Sequence, residues 1–148
     1  MYKNILIPTD GSELAEKAVT AGVQYAREAG AQVMFFTAMP EYEPPSEAEL
    51  MARHAVVSPD EYARSSRDAA QVILDRVASH ASAAGVTFGT HYALSNKPYE
   101  AIIEAATHFG CDAIFMASHA RTGLAKLLHG SQTFDVLSHT DIPTLVVR

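Results

Sequence analysis

Apolar residues in this chain come as short unbroken runs, separated by longer stretches in which they recur at helical spacing. Ile5-Leu6-Ile7, Val33-Met34-Phe35-Phe36 and Ala113-Ile114-Phe115-Met116-Ala117 lack polar alternation, which predicts strands buried on both faces. After the first run, Ser12 is a good N-cap, with Glu13 and Glu16 near the positive end of the helix that follows. Leu14, Ala18, Ala21, Gly22 and Tyr25 recur at helical spacing, and Gly30 closes the helix. Ser58-Pro59-Asp60-Glu61 joins an N-cap, a proline at N1 and an acid at N3. It predicts a helix through Ala69, Ile73 and Val77 to about Ala84, stopped by Gly85. Val86, Phe88 and Tyr92 then alternate with Thr87, Gly89 and His91, the pattern of a half-exposed strand at a sheet edge. Pro98 opens another helix, with Ala101, Ile102, Ala105 and Phe109 inward and Gly110 at its end. A helix over about 131–138 and a strand over 142–147 finish the chain. Residues 39–57 lose all periodicity; Pro40, Pro44 and Pro45 stand among Glu41, Glu43, Glu47 and Glu49. They predict a mobile, solvated connection.

Strands that alternate with helices imply an α/β fold with a parallel sheet. The first strand, helix and second strand make a βαβ unit with a right-handed crossover. The first and fourth strands are the most apolar and belong at the centre. The expected architecture is a three-layer, doubly wound, five-stranded parallel sheet of order 3-2-1-4-5, as one domain spanning 1–148. Its topological switch point lies between strands 1 and 4, where open α/β sheets bind ligands.

Composition narrows the function classes. The 148 residues suffice for one hydrophobic core, with 48% hydrophobic and 19% charged residues. A net charge of −6 and the absence of a basic run argue against nucleic acid as partner. Cys111 is the single cysteine, so no internal disulfide can form, and a reducing compartment fits. No stretch reaches membrane-spanning length, and residues 1–4 lead into a strand without a signal-like apolar segment. These features predict a cytoplasmic protein that does not enter membranes.

Two loops carry the candidate chemistry, Pro8-Thr9-Asp10-Gly11-Ser12 and the stretch from Ser118-His119-Ala120-Arg121-Thr122-Gly123 to Gly130-Ser131. Both leave carboxyl ends of central strands. The second restarts as a helix at Ser131, whose unpaired N–H groups and dipole form a ready anion site. Together they predict a nucleotide. Other switch-point chemistries lack their residues. A dinucleotide turn needs three glycines where residues 8–12 hold one, and no Gly-Lys-Ser/Thr occurs for a Walker A loop. A dehalogenase-type phosphatase would need its nucleophile where Pro8 stands, and a receiver domain needs an aspartate near Tyr92-Ala93-Leu94-Ser95. A flavodoxin-like loop is only half supplied by Thr9, Gly11 and Ser12. His119 reads as a solvent-facing loop histidine, and His129 and His139 lack zinc spacing, so no metal site is expected. Cys111 has no histidine arranged beside it and is expected to be inert.

The run Lys3-Asn4-Ile5-Leu6-Ile7-Pro8-Thr9-Asp10-Gly11-Ser12 resembles the opening of a universal stress protein. The stretches Ser118 to Gly123, Leu127-Leu128-His129-Gly130-Ser131 and Ile142-Pro143-Thr144-Leu145-Val146-Val147 resemble that family's closing third. The resemblance covers the whole chain and implies the adenine nucleotide alpha hydrolase-like fold. It implies ATP, or AMP or ADP, as ligand, with Mg2+ held only through the phosphates. Family members that bind ATP carry two glycines, then Gly-Ser or Gly-Thr; those positions here are Ala117, Ala120, Gly130 and Ser131. Two methyl groups thus stand in place of glycines. A penalty of roughly 1–2 kcal/mol would weaken affinity about five- to thirtyfold. By the same resemblance Thr9 and Asp10 contact the ribose and adenine end, and Ala38 and Met116 line the adenine pocket. The full candidate set is Pro8, Thr9, Asp10, Ala38, Met116, Ala117, Ser118, His119, Ala120, Arg121, Gly130, Ser131 and Gln132. Asp10 also suits a plain capping role, as does Ser131.

The expected function is a regulatory ATP-binding module of the stress response, with at most slow hydrolysis, since no general base or nucleophile stands out. The alternative is a universal stress protein that binds no nucleotide and acts through protein–protein contacts. The last strand, bearing Pro143 and Leu145, is expected at a sheet edge, where pairing across a two-fold axis would give a homodimer.

Overall fold

The computed structural model describes residues 1–52, 55–118 and 132–148. The described residues form a five-stranded sheet in the order expected, β3-β2-β1-β4-β5. The strands are β1 (Asn4–Pro8), β2 (Gln32–Met39), β3 (Phe88–Leu94), β4 (Ala113–Ala117) and β5 (Thr144–Val147), and every adjacent pair is parallel. The helices are α1 (Glu13–Ala29), α2 (Glu47–Met51), α3 (Pro59–Ala84), α4 (Pro98–His108) and α5 (Gln132–His139).

The unbroken apolar runs follow from cover on both faces of the sheet. Ile5, Ile7, Val33, Phe35 and Phe115 join one buried layer with α1 and α3. Leu6, Phe36, Ile114 and Met116 point the other way, into a layer with α4 and α5. Successive side chains on a strand face opposite ways, so both sets must be apolar. α1 lies close over β1 and β4. A Cβ on Gly22 would overlap Ile7 Cδ1 and stand 3.4 Å from Phe115 Cδ2.

Helix starts match their local signals. The Ser12 hydroxyl accepts from the Ala15 N–H at 3.1 Å, and the Ser58–Glu61 capping box is complete. The phases of α1 and α3 differ from the expected ones. On α1 the buried stripe is Ala15, Ala18, Val19, Gly22, Val23, Ala26 and Ala29, so Leu14 and Ala21 stand at its margin. On α3 it is Ser66, Ala70, Leu74, Val77 and Ala81; Ala69 is exposed and Ile73 half-buried. Alanine-rich helices offer two adjacent apolar stripes, and only contact with the sheet selects one.

Residues 39–57 are not wholly irregular. Ser46 and Glu49 form a second capping box, which starts α2. Tyr42 donates to the Val57 carbonyl at 3.0 Å, and Tyr62 on α3 donates to the Pro40 carbonyl. The signal was legible as Ser-x-x-Glu, masked by the neighbouring prolines. β3 begins two residues later than its alternation suggested, and His91 on its polar face stacks on Phe36 with ring centroids 6.0 Å apart. Burial and the nearby His108 lower the pKa of His91. β5 is an edge strand as expected, with Leu145 45% exposed. It starts at Thr144 because Pro143 offers a carbonyl to the Ile114 N–H (2.9 Å) but no donor of its own. No helix among the described residues is long and apolar enough to cross a membrane.

Candidate functional site

The carboxyl ends of β1, β2 and β4 open into a cleft of about 230 Å³ on the α4–α5 side of the sheet. Its walls are apolar: Phe36 and Ala38 from β2, Met116 and Ala117 from β4, and Ile102 from α4. Pro8, Thr9 and Asp10 close one end, and Gln132 and Thr133 at the start of α5 close another.

The β1–α1 turn is built by its own short side chains. Thr9 donates its N–H to the Phe36 carbonyl at 2.8 Å, carrying the β1–β2 ladder one step beyond Pro8. Its hydroxyl accepts from the Gly11 N–H at 3.1 Å. The Asp10 carboxylate accepts from the Ser12 N–H at 2.9 Å, a turn contact two residues on rather than a cap three residues on. Gly11 has φ +80°, and a Cβ there would lie 3.3 Å from Ile73 Cγ1. Gly11→Ala is therefore expected to cost about 1–2 kcal/mol in urea unfolding. An unchanged midpoint would mean that this turn tolerates another backbone geometry.

α3 clamps the turn from outside. Arg76 donates through Nε (3.0 Å) and Nη2 (2.7 Å) to Glu16 Oε1, and through Nη2 to the Gly11 carbonyl at 3.1 Å. His80 Nε2 lies 3.2 Å from the other oxygen of Glu16. No local pattern announces these partners.

On the opposite side, Gln132 accepts the Tyr99 N–H at 2.8 Å through Oε1. Lys97, the N-cap of α4, makes no side-chain cap, so a residue of α5 satisfies that helix end instead. The Thr133 hydroxyl donates to the Ala117 carbonyl at 3.1 Å, tying α5 to the end of β4. Gln132 thus joins the helix starts that flank the cleft.

Of the candidate residues, Pro8, Thr9, Asp10, Ala38, Met116, Ala117 and Gln132 meet around this cleft. Ser118 is buried, donates its N–H to the Val147 carbonyl at 2.9 Å, and is not among the residues lining the cleft. His119, Ala120, Arg121, Gly130 and Ser131 lie outside the described residues. The sequence reading left out Phe36, Ile102 and Leu14, which line the cleft although their spacing reads as core. Phe36 is the parallel partner of Pro8, a register that no sequence signal gives. Cys111 is buried and free; burial, then the neighbouring Asp112 carboxylate, pushes its thiol up to about 11.

Comparison with known proteins places this architecture. Universal stress protein MJ0531 of Methanocaldococcus jannaschii is 29% identical over 148 residues, which is 100% of this chain and 83% of the relative. The solved structure of MJ0577, from the same organism, superposes with a TM-score of 0.76 at 26% identity, covering 99% of this chain and 96% of the other. A universal stress protein solved in complex with cAMP superposes with a TM-score of 0.74 at 24% identity, covering 99% and 97%. The family model for the universal stress protein family matches residues 1–148. The chain belongs to the universal stress protein family.

Proposed function

We propose that the cleft is an adenine-nucleotide site and that the chain is a cytoplasmic, ATP-binding regulatory module of the stress response. One observation carries this reading: an apolar slot at the β1–β4 switch point ends at an exposed carboxylate, Asp10. A purine ring suits the slot between Ala38 and Met116, with Phe36 and Ile102 behind it. Asp10 accepts from a ribose hydroxyl, and Thr9 and Pro8 shape that end. The family resemblance assigns the phosphates to Ala117, Ser118, His119, Ala120, Arg121, Gly130, Ser131 and Gln132. Helix-start N–H groups and the Arg121 cation would neutralise them, and Mg2+ would enter only with the phosphates. The cAMP held by one structural relative is an adenine nucleotide, which supports the choice of base. No side chain is assigned to catalysis; at most, slow hydrolysis accompanies binding. The proposal includes a homodimer through β5, whose exposed Leu145 would be covered by its twin.

Isothermal titration with ATP, AMP and cAMP, each with and without Mg2+, tests the site. Saturable binding of at least one of them is expected, and no heat from any at millimolar ligand overturns the reading. The alanines at 117 and 120 favour a second reading, a protein that signals by contact alone. Gly130→Asp separates the two: loss of the cellular phenotype supports the pocket, and an unchanged phenotype supports the surface.

A further inference from the structure

The clamp that α3 places on the β1–α1 turn ends on a single peptide group. The Gly11 carbonyl accepts from Arg76 Nη2 at 3.1 Å, and the Ser12 N–H donates to the Asp10 carboxylate at 2.9 Å. Both belong to the peptide unit that joins residues 11 and 12. That unit is planar and trans, so its carbonyl and N–H point in opposite directions and turn together. Arg76 thus holds one end of a rigid plate whose other end holds Asp10. α3 covers the opposite face of the sheet from the cleft, so the guanidinium acts on the rim of the cleft from behind.

The guanidinium is itself pinned. Nε and Nη2 both donate to Glu16 Oε1, at 3.0 and 2.7 Å, while His80 Nε2 stands 3.2 Å from the other oxygen. Glu16 lies in the first turn of α1, with its side chain 23% exposed. Ile73, one turn before Arg76, lies against Gly11, so two residues on one face of α3 meet the turn. The peptide plate needs such a lock. Gly11 has φ +80° and no side chain, so a flip of the plate meets little steric resistance. A flip would turn a carbonyl toward the Asp10 carboxylate and take its donor away. The cation also polarises the peptide, which strengthens the Ser12 N–H as a donor.

We infer that Arg76 is a positioning residue of the cleft: it fixes the carboxylate of Asp10, and through it the end of the site that takes ribose hydroxyls. The inference rests on the nucleotide reading. Arg76 acts through the turn rather than on the ligand. Its side chain is 57% exposed, so it adds little to folding, and its effect falls on the ligand that Asp10 meets. Loss of an exposed pair of this kind should weaken binding about three- to fivefold.

Isothermal titration of the full chain with ATP and with 2′,3′-dideoxyATP tests it, because the two ligands share charge and base and differ only in the ribose hydroxyls. Arg76→Met should show that loss for ATP and none for the dideoxy compound. Arg67→Met removes an equal charge from an exposed site on α3 and should bind both ligands as the parent does. In a double-mutant cycle, Arg76→Met should add little to the effect of Asp10→Asn. The free protein gives a second readout. The Ser12 amide proton resonance should move upfield in Arg76→Met and stay in place in Arg67→Met. Equal loss for both nucleotides would make Arg76 a general contributor to charge or folding and overturn the inference. Undiminished ATP affinity, or an unmoved Ser12 resonance, would overturn it too, and each of these results leaves the nucleotide reading standing. A parent that binds both ligands equally would take Asp10 off the ribose and overturn the inference as well. A parent that gives no heat with either ligand removes the nucleotide reading, and the role of Arg76 with it.

Discussion

Phe35→Ala is expected to lower the unfolding free energy by about 3–5 kcal/mol, the usual cost of deleting a fully buried aromatic ring. Phe35 is 0% exposed at the middle of β2, in the layer that holds Val19, Val33, Leu74 and Val77. Those neighbours are held by two helices and the sheet, so the void can collapse only partly. A chain of this size loses roughly 2–4 °C of Tm per kcal/mol, which places the shift near 10 °C. Urea unfolding of both proteins measures it. Phe88→Ala is the internal control: that ring lies 6.2 Å from Phe35 but is 38% exposed at the sheet edge, and its loss should cost far less. Equal costs for the two would show that the α1–α3 layer is not the principal core.

Ala38→Phe should weaken nucleotide binding about a hundredfold while leaving the fold intact. Ala38, next to last in β2, lies at the floor of the cleft, packed against the α4–α5 layer with Phe36 and Met116. A phenyl ring there would project from the floor into the space beside Phe36 and Met116 that the base is proposed to take. The base is the part of the ligand with most apolar surface, so affinity should fall by about a hundredfold, roughly 3 kcal/mol. The half-buried position opens onto the cleft, so the urea midpoint should stay near that of the parent. Titration and unfolding read these effects separately. Undiminished binding by a stable variant would move the base elsewhere and remove the basis for the adenine slot.

The two substitutions differ in how far the sequence foretells them. Phe35 lies in an unbroken apolar run, and such a run already demands cover on both faces. Ala38 entered through the family resemblance, because nothing about a single alanine after Thr37 announces a pocket. The same division runs through the site. The Thr9-Asp10-Gly11-Ser12 turn was legible because its hydrogen bonds span two or three residues. Arg76 was not, since its partner Glu16 is 60 residues away and both look like ordinary surface charges. Gln132 was placed in the site by sequence, but its hydrogen bond to Tyr99, 33 residues away, came only from the packing of α4 against α5.

The sequence by itself determined the order of strands and helices, the caps at Ser12 and Ser58, the stops at Gly30 and Gly85, and the central place of β1 and β4. All of these follow from periodicity and from hydrogen bonds between near neighbours, which are written in one dimension. Tertiary structure alone decided which alanine stripe of α1 and α3 faces inward, and that Phe36 and Ile102 serve a cleft as well as a core. Each depends on what stands opposite, and burial is a property of the assembled layers rather than of any residue within them.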